Sequence, residues 1–264
     1  MFKKILKITG VVALFSGIIA LFAFSAAEQK KIKLQKIRVG IDESFHLQFV
    51  DEHDVLEILK NQGGANSGVA ISSLNLAKIE QSLLDNPHIE KAEVYLTIDG
   101  ILDVQVKQRR PIIRILNSYN EGFYIDENGV LMPLSDKFSY KTLIANGLIF
   151  ERYNSFFKTN MADSTVAPEL KKKLLLDDLF TLARFIDKDS IWKAQIQQVY
   201  VDKEIELIPR VGNQRIILGE IKELPEKFEK LNILYRKAMP KVGWNSYSII
   251  NLKFKDQVVC TKVK

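Results

Sequence analysis

The longest uncharged run of the chain, "ITGVVALFSGIIALFAFSAA" at residues 8–27, sets the terms for everything after it. About 20 apolar residues are what a helix needs to cross the hydrocarbon core of a bilayer, so a transmembrane helix is expected here. A cleaved signal peptide is the rival, because Ser25 and Ala27 are small residues at plausible cleavage positions. The run is longer than the roughly 7 to 15 residues of a signal core, which favours an uncleaved anchor. Lys3, Lys4 and Lys7 precede it, while Lys30, Lys31, Lys33, Lys36 and Arg38 follow it. Flanking charge alone does not choose an orientation. A seven-residue tail has nothing to fold, however, and a long domain can translocate despite nearby charge. Residues 1–7 are therefore expected as a cytoplasmic tail, 8–27 as the span, 28–36 as a juxtamembrane linker, and the body outside the plasma membrane.

The formal charge of +6 is concentrated in the same region. Residues 1–38 hold eight basic groups against Glu28 alone, which leaves the remainder of the chain at −1. Nucleic-acid binding draws its affinity from clustered cations that displace counterions, and the body has no such surplus. Cys260 is the single cysteine, so an exported body gains no internal disulfide and rests on its core.

That body first reads as a small domain at 37–111. A short strand ends at Gly40, and "VDEHDVLEILKNQGG" then reads as a helix. Asp51 is its cap, Glu52 and Asp54 occupy the first turn, Val55, Ile58 and Leu59 form the apolar face, and Gly63 and Gly64 stop it. A second helix over 76–85 places Leu76, Ile79, Leu83 and Leu84 at helical spacing and ends at Asn86, before Pro87. Two strands follow: Ala92, Val94, Leu96 and Ile98 share one face of the first, and Leu102, Val104 and Val106 share one face of the second. A two-residue Asp99-Gly100 turn would put Leu96 opposite Asp103. The apolar faces instead predict Ile98 opposite Leu102 and Leu96 opposite Val104, across a loop of three or five residues. Arg109 and Arg110 then read as a solvated strand end, with Pro111 at the exit.

Residues 112–264 read as strands with two long helices. "FYIDENGVLMPL" is a hairpin about Asn128-Gly129. Over 169–188, Leu170, Leu174, Leu175, Leu179, Leu182, Phe185 and Ile186 make a core-facing stripe. Three strands follow, with a turn at Gly212-Asn213, and then a helix over 225–238 opened by Pro225. The last strands are "SYSIINLKF" and "QVVCTK".

No phosphate-loop, nucleophile-elbow or zinc-protease signature occurs, and His46, His53 and His88 lie at separate places. Zinc needs at least three convergent ligands, and His53 beside Asp54 is read as the neighbour of a helix cap. No catalytic, cofactor-binding or metal residue is assigned.

The order of elements, with "IRVG", "VDEHDVLEIL", "LAKIEQSLLDNPHIEKAEVYLTIDGILDVQVKQRRPIIRI" and "GFYIDENGVLMPLS", resembles the POTRA domain and following β domain of the FtsQ/DivIB bacterial cell-division family. The closing "GWNSYSIINLKFKDQVVCTK" is similar to the C-terminal strands of that family. Residues 79–111 carry the most specific likeness: an NP turn, an A-x-V strand and a V-x-V-x-x-R-x-P ending. Three features depart from the pattern: His88 where an aromatic is commoner, the short tail, and an apparent insertion at 150–168. The resemblance implies an α+β protein with a transmembrane helix, a POTRA-like β-α-α-β-β domain and a mixed or antiparallel β domain with two helices. It also implies a non-enzymatic divisome scaffold at the septum, linking early and late division proteins through FtsB and FtsL and using no cofactor. By similarity the partner would add a strand at Phe254, Asp256, Gln257, Val258, Val259, Cys260 and Thr261. A POTRA-type outer-membrane assembly factor and an anchored extracytoplasmic enzyme are the alternatives.

Overall fold

The computed structural model describes Gly10 and residues 15–19, 32–62, 64–156 and 174–263. Gly10 and residues 15–19 are helical and exposed, and the rest of the expected span at 8–27 lies outside the described residues. Among the described residues no helix is long and apolar enough to cross a membrane. The expected tail 1–7, residues 28–31 of the linker, Gly63, residues 157–168 of the expected insertion and 169–173 of the expected helix, Leu170 included, also lie outside them. The chain divides into two compact units, Met1–Gln108 and Arg109–Lys264, giving an α+β protein.

In the first unit, β1 (Lys36–Ile41), α1 (Glu52–Asn61), α2 (Leu76–Leu84), β2 (Ile89–Leu96) and β3 (Ile101–Gln108) form a three-stranded sheet with two helices among the described residues. The strand order is β1-β3-β2, with β3 parallel to β1 and antiparallel to β2. Helix α1 begins at a reciprocal cap: the Asp51 carboxylate accepts from the Asp54 N–H, and Asp54 accepts from the Asp51 N–H. Two of the donors left open by a helix start are thereby satisfied. Asn75 caps α2 in the same sense by accepting from the Lys78 N–H. Val55 and Leu59 of α1, Ile79 and Leu83 of α2, and Leu102 and Val104 of β3 have no exposed surface. Each such side chain contributes about 1.5–3 kcal/mol on burial.

The β2–β3 register differs from the expected one by two residues. Leu96 faces Leu102 and Val94 faces Val104, so both apolar faces are kept while Ile98 is expelled to the turn at 77 % exposure. The reason lies in Gly100. Its N–H donates to the Thr97 carbonyl and Thr97 N–H donates to the Ile101 carbonyl, with Gly100 at φ +77°. This is the three-residue loop whose last position is left-handed and suits glycine. The Thr97 hydroxyl oxygen adds to it by accepting from the Ile101 N–H. The hairpin about Asn128-Gly129 repeats the device, with Gly129 at φ +84° and its N–H donating to the Asp126 carbonyl.

The second unit holds one mixed sheet, nine strands among the described residues, in the order β12-β11-β10-β9-β8-β7-β4-β5-β6. These are β4 (Pro111–Leu116), β5 (Gly122–Asp126), β6 (Leu131–Pro133), β7 (Leu143–Gly147), β8 (Ile196–Val201), β9 (Ile205–Pro209), β10 (Arg215–Gly219), β11 (Tyr247–Asn251) and β12 (Val259–Lys262). The described helices exceed the two expected. They are α3 (Tyr153–Phe156), α4 (Leu175–Asp187), α5 (Ser190–Gln195), α6 (Leu224–Ile233) and α7 (Met239–Val242), with a π-helical segment, Leu234–Ala238, between the last two. Leu176, Leu179, Phe180, Leu182, Ala183 and Ile186 bury the inner face of α4 against the sheet. Trp192 meets Phe228 edge-on at 5.0 Å, and Tyr235 meets Trp244 likewise at 5.0 Å. Burial pushes the Tyr235 phenol up to about 12, against a smaller opposing effect of Gln214.

Arg109 and Arg110 are not a solvated strand end. Arg110 is 8 % exposed and donates to Glu127 and Asp187, while Arg109 donates through Nη1 to Asp126 Oδ2 at 2.9 Å. Asp126 has no exposed surface, and its Oδ1 accepts from the N–H groups of Asn128 and Val130. Burial pushes the Asp126 carboxyl above its ordinary value, with the Val130 N–H and Arg109 pulling the other way. Once the partners are buried nearby, the arginines lie inside because a buried carboxylate must be paired.

Candidate partner-binding edge

One strand of the nine-stranded sheet combines an open side with apolar surface. β12 pairs only with β11 among the described residues, through Ile249 opposite Thr261, Ile250 opposite Cys260 and Asn251 opposite Val259. The other end of the sheet, β6, is three residues long, ends in Pro133, and packs against α3. Proline and cover are ways in which edges are kept from pairing; β12, four residues long, contains no proline and has no further strand paired to it among the described residues.

Two bonds fix which groups of β12 look outward. Val263 N–H donates to the Ser246 carbonyl, and the Ser248 hydroxyl donates to the Thr261 carbonyl, so both residues turn their main chain toward β11. Alternation then points the N–H and C=O of Cys260 and Lys262 away from the sheet. Side chains alternate on the perpendicular axis. Val258 and Cys260 are half-buried against the core, while Val259 and Val263 are 43 % and 55 % exposed on either side of exposed Thr261. Burial also raises the Cys260 thiol from its ordinary value, as befits a small apolar side chain more than a nucleophile.

The structure splits the seven residues expected on this strand. Val259, Cys260 and Thr261 lie on β12, whereas Phe254 and Asp256 lie in the turn before it, with Gln257 and Val258 leading in. Asp256 adopts φ +61°, which reverses the chain. The turn is tied down from α6: the Lys230 ammonium donates to the Leu252 carbonyl at 3.4 Å and to the Phe254 carbonyl at 2.6 Å. Its neighbour Lys227, buried with its ammonium value lowered by that burial, donates to the carbonyls of Leu218 in β10 and Glu220 just after it. Sequence reasoning missed Val263 and Lys230. The period-two run Val259, Thr261, Val263 is the signal that could have found the first; nothing local marks the second.

Among the described residues no convergent acid–base or nucleophilic set lies on β12. Asp51, His53 and Asp54 do bring possible ligand atoms within 4.8 Å of one another at the start of α1. Both carboxylates there are engaged in the helix cap. His88 instead stacks on Phe49, centroids 5.1 Å apart and planes 14° from parallel, which is work an aromatic side chain can do.

Comparison with known proteins bears on both units. The family model described as POTRA-like domain matches residues 33–107. The cell division protein DivIB of Clostridium acetobutylicum is 29% identical over 97 residues, an alignment covering 37% of this chain and 37% of that protein. The family model described as FtsQ/DivIB, C-terminal related, matches residues 110–261, more than half of the chain. With a POTRA-like unit followed by a β-rich unit ending in that open strand, the chain belongs to the FtsQ/DivIB family.

Proposed function

We propose that this chain is a single-pass, non-enzymatic scaffold of bacterial cell division, acting by receiving an extended partner segment along β12. The process is suggested by family membership and by the division role named for the Clostridium acetobutylicum relative. The mode rests on one observation: the outward N–H and C=O groups of Cys260 and Lys262 sit beside exposed Val259 and Val263. A strand laid there would gain main-chain hydrogen bonds from the first pair and apolar contact from the second. The segment at 8–27 serves as the anchor in this reading, with the N-terminus in the cytoplasm and the body outside, concentrated at the septum. The family resemblance supplies FtsB and FtsL as the partners.

Lys262→Pro in the full chain tests the mode. It removes an outward donor from an exposed residue and leaves the bonds to β11 in place, as edge strands tolerate. FtsB capture is expected to fall about tenfold or more, the equivalent of one lost charge-free hydrogen bond plus strand misfit. Lys262→Ala should bind as the parent does. Capture unaltered by the proline would remove this edge from consideration. For the anchor, a C-terminal alkaline phosphatase fusion should be active, and a tagged copy should form a midcell band; uniform envelope staining counts against the division role.

A further inference from the structure

The second unit has a further cleft, of about 370 Å³, at the N-terminal ends of the parallel strands β4, β7 and β8. Its apolar wall is aliphatic, with Ile112, Leu143 and Ile196 from the strands and Ile186 from the last turn of α4. Lys141, Lys193 and Arg210 also line it, with Asp187 the single acid.

The charges do not balance. Asp187 is already engaged by Arg110 and, through Oδ1 at 2.6 Å, by Lys193. Glu127 is engaged by Arg110 as well. Lys141 and Arg210 have no side-chain partner among the described residues. Three cations thus line the cleft against one carboxylate that is already engaged, and two of those cations have no side-chain partner among the described residues. A concave site with low-dielectric walls concentrates such a field.

We infer that this cleft binds an acidic peptide segment of a partner protein, an aliphatic stretch carrying an aspartate or glutamate whose carboxylate meets Lys141 and Arg210. Charge complementarity selects the carboxylate, and arginine takes it bidentately. The aliphatic wall selects the flanking residues. Nucleic acid fits poorly, because no aromatic side chain lines the cleft to stack a base and the chain beyond residue 38 has a net charge of −1. The cleft is separate from the β12 edge, with β9, β10 and β11 lying between β8 and β12 in the sheet, so either site can fail without the other.

The experiment titrates the full chain with a labelled pool of five-residue peptides, Leu, Ile, Val or Ala around a central glutamate, and follows fluorescence anisotropy. The same pool with central glutamine is the comparison, and glutarate is the competitor. The glutamate pool should bind about tenfold or more tightly than the glutamine pool, the worth of a charge-assisted bidentate contact. The double variant Lys141→Glu, Arg210→Glu, both exposed positions, should lose that preference, and Lys60→Glu in the first unit should keep it. Circular dichroism confirms that each variant is folded. Equal binding of the two pools, or a preference that survives the double variant, overturns the site. Glutarate binding as tightly as the peptides overturns the peptide occupant in favour of a small dicarboxylate.

Discussion

Arg110 meets Asp187 fork to fork: Nη1 donates to Oδ1 at 3.1 Å and Nη2 to Oδ2 at 2.7 Å, joining the approach to β4 to the end of α4. The same Nη2 and the Nε also donate to Glu127, so one guanidinium serves two carboxylates. Burial by itself would raise the Asp187 carboxyl, but the hydrogen bonds from Arg110 and Lys193 outweigh it and hold the group below its ordinary value. Arg110→Ala takes the guanidinium from both acids, leaving Asp187 with Lys193 alone, and is expected to cost about 3–5 kcal/mol in urea unfolding. Arg110→Lys should cost less but well above zero, since an ammonium cannot reproduce the fork. A variant within 1 kcal/mol of the parent would show the network to be dispensable.

The pH dependence follows from the same carboxyl. A depressed folded value means that the stabilisation is complete above the ordinary carboxylate value and disappears as pH falls through the folded one. The stability gap between the parent and Asp187→Asn should therefore be widest near neutral pH and close in acid. Asp126, raised by burial, works with the opposite sign and is present in both proteins, so it drops out of the difference. A gap that is constant from neutral to strongly acidic pH would contradict the assignment.

Gln108 latches the first unit. Its Oε1 accepts from the N–H groups of Phe49 and Val50, at 2.8 and 3.0 Å, while its Nε2 donates to the Leu47 carbonyl at 3.0 Å. The residue is 2 % exposed, and the three groups it satisfies lie in the segment before α1. Gln108→Leu keeps the volume and removes the three hydrogen bonds that the amide supplies to this segment, so a loss of about 2–4 kcal/mol is expected. Amide exchange at Phe49 and Val50 should quicken ahead of that of the sheet; exchange unchanged at both would exclude the latch.

Much of this architecture is legible along the chain, and the limits have a physical cause. The Asp51 cap, the helical stripe of α1 and the Asn128-Gly129 hairpin depend on neighbours within a few residues, and the structure forms each of them. Arg110 was misread because Asp187 is 77 residues away, so a pair that decides burial leaves no local trace. Register fell between these cases. Alternation fixed the faces of β2 and β3, but a shift of two residues preserves every face, and only the left-handed glycine chooses between them. The direction of each N–H on β12 was beyond sequence for the same reason. Proline at Val259 is the intuitive probe of that edge, yet alternation turns this N–H inward, toward β11.

Two glycines separate backbone strain from crowding. Gly64 and Gly100 both have positive φ, +67° and +77°, but a Cβ at Gly64 would meet nothing within 4 Å, whereas one at Gly100 would lie 2.4 Å from the Lys33 carbonyl oxygen. Gly64→Ala should cost about 1–2 kcal/mol, the penalty for a left-handed alanine. Gly100→Ala should cost clearly more and disturb the β2–β3 turn as seen in backbone chemical shifts. Equal costs would mean that the Lys33 segment yields freely.

Cys260 gives a chemical report on the β12 edge. Its side chain shares a face with Val258, turned toward the core, and burial raises its thiol value, so its thiolate population at neutral pH is below that of a free cysteine. Iodoacetamide should alkylate the folded chain about tenfold or more slowly than the urea-unfolded chain, since only the thiolate attacks and the sulfur is half-covered. The sign carries through to stability: the folded state favours the neutral thiol, so its contribution is complete below the ordinary thiol value and is lost as pH rises through the folded one. Cys260→Ala should flatten that alkaline decline. Alkylation equally fast in the folded and unfolded chains would place the sulfur in solvent, and β12 would then be turned over, with Val259 and Val263 against the core and the proposed docking face reversed.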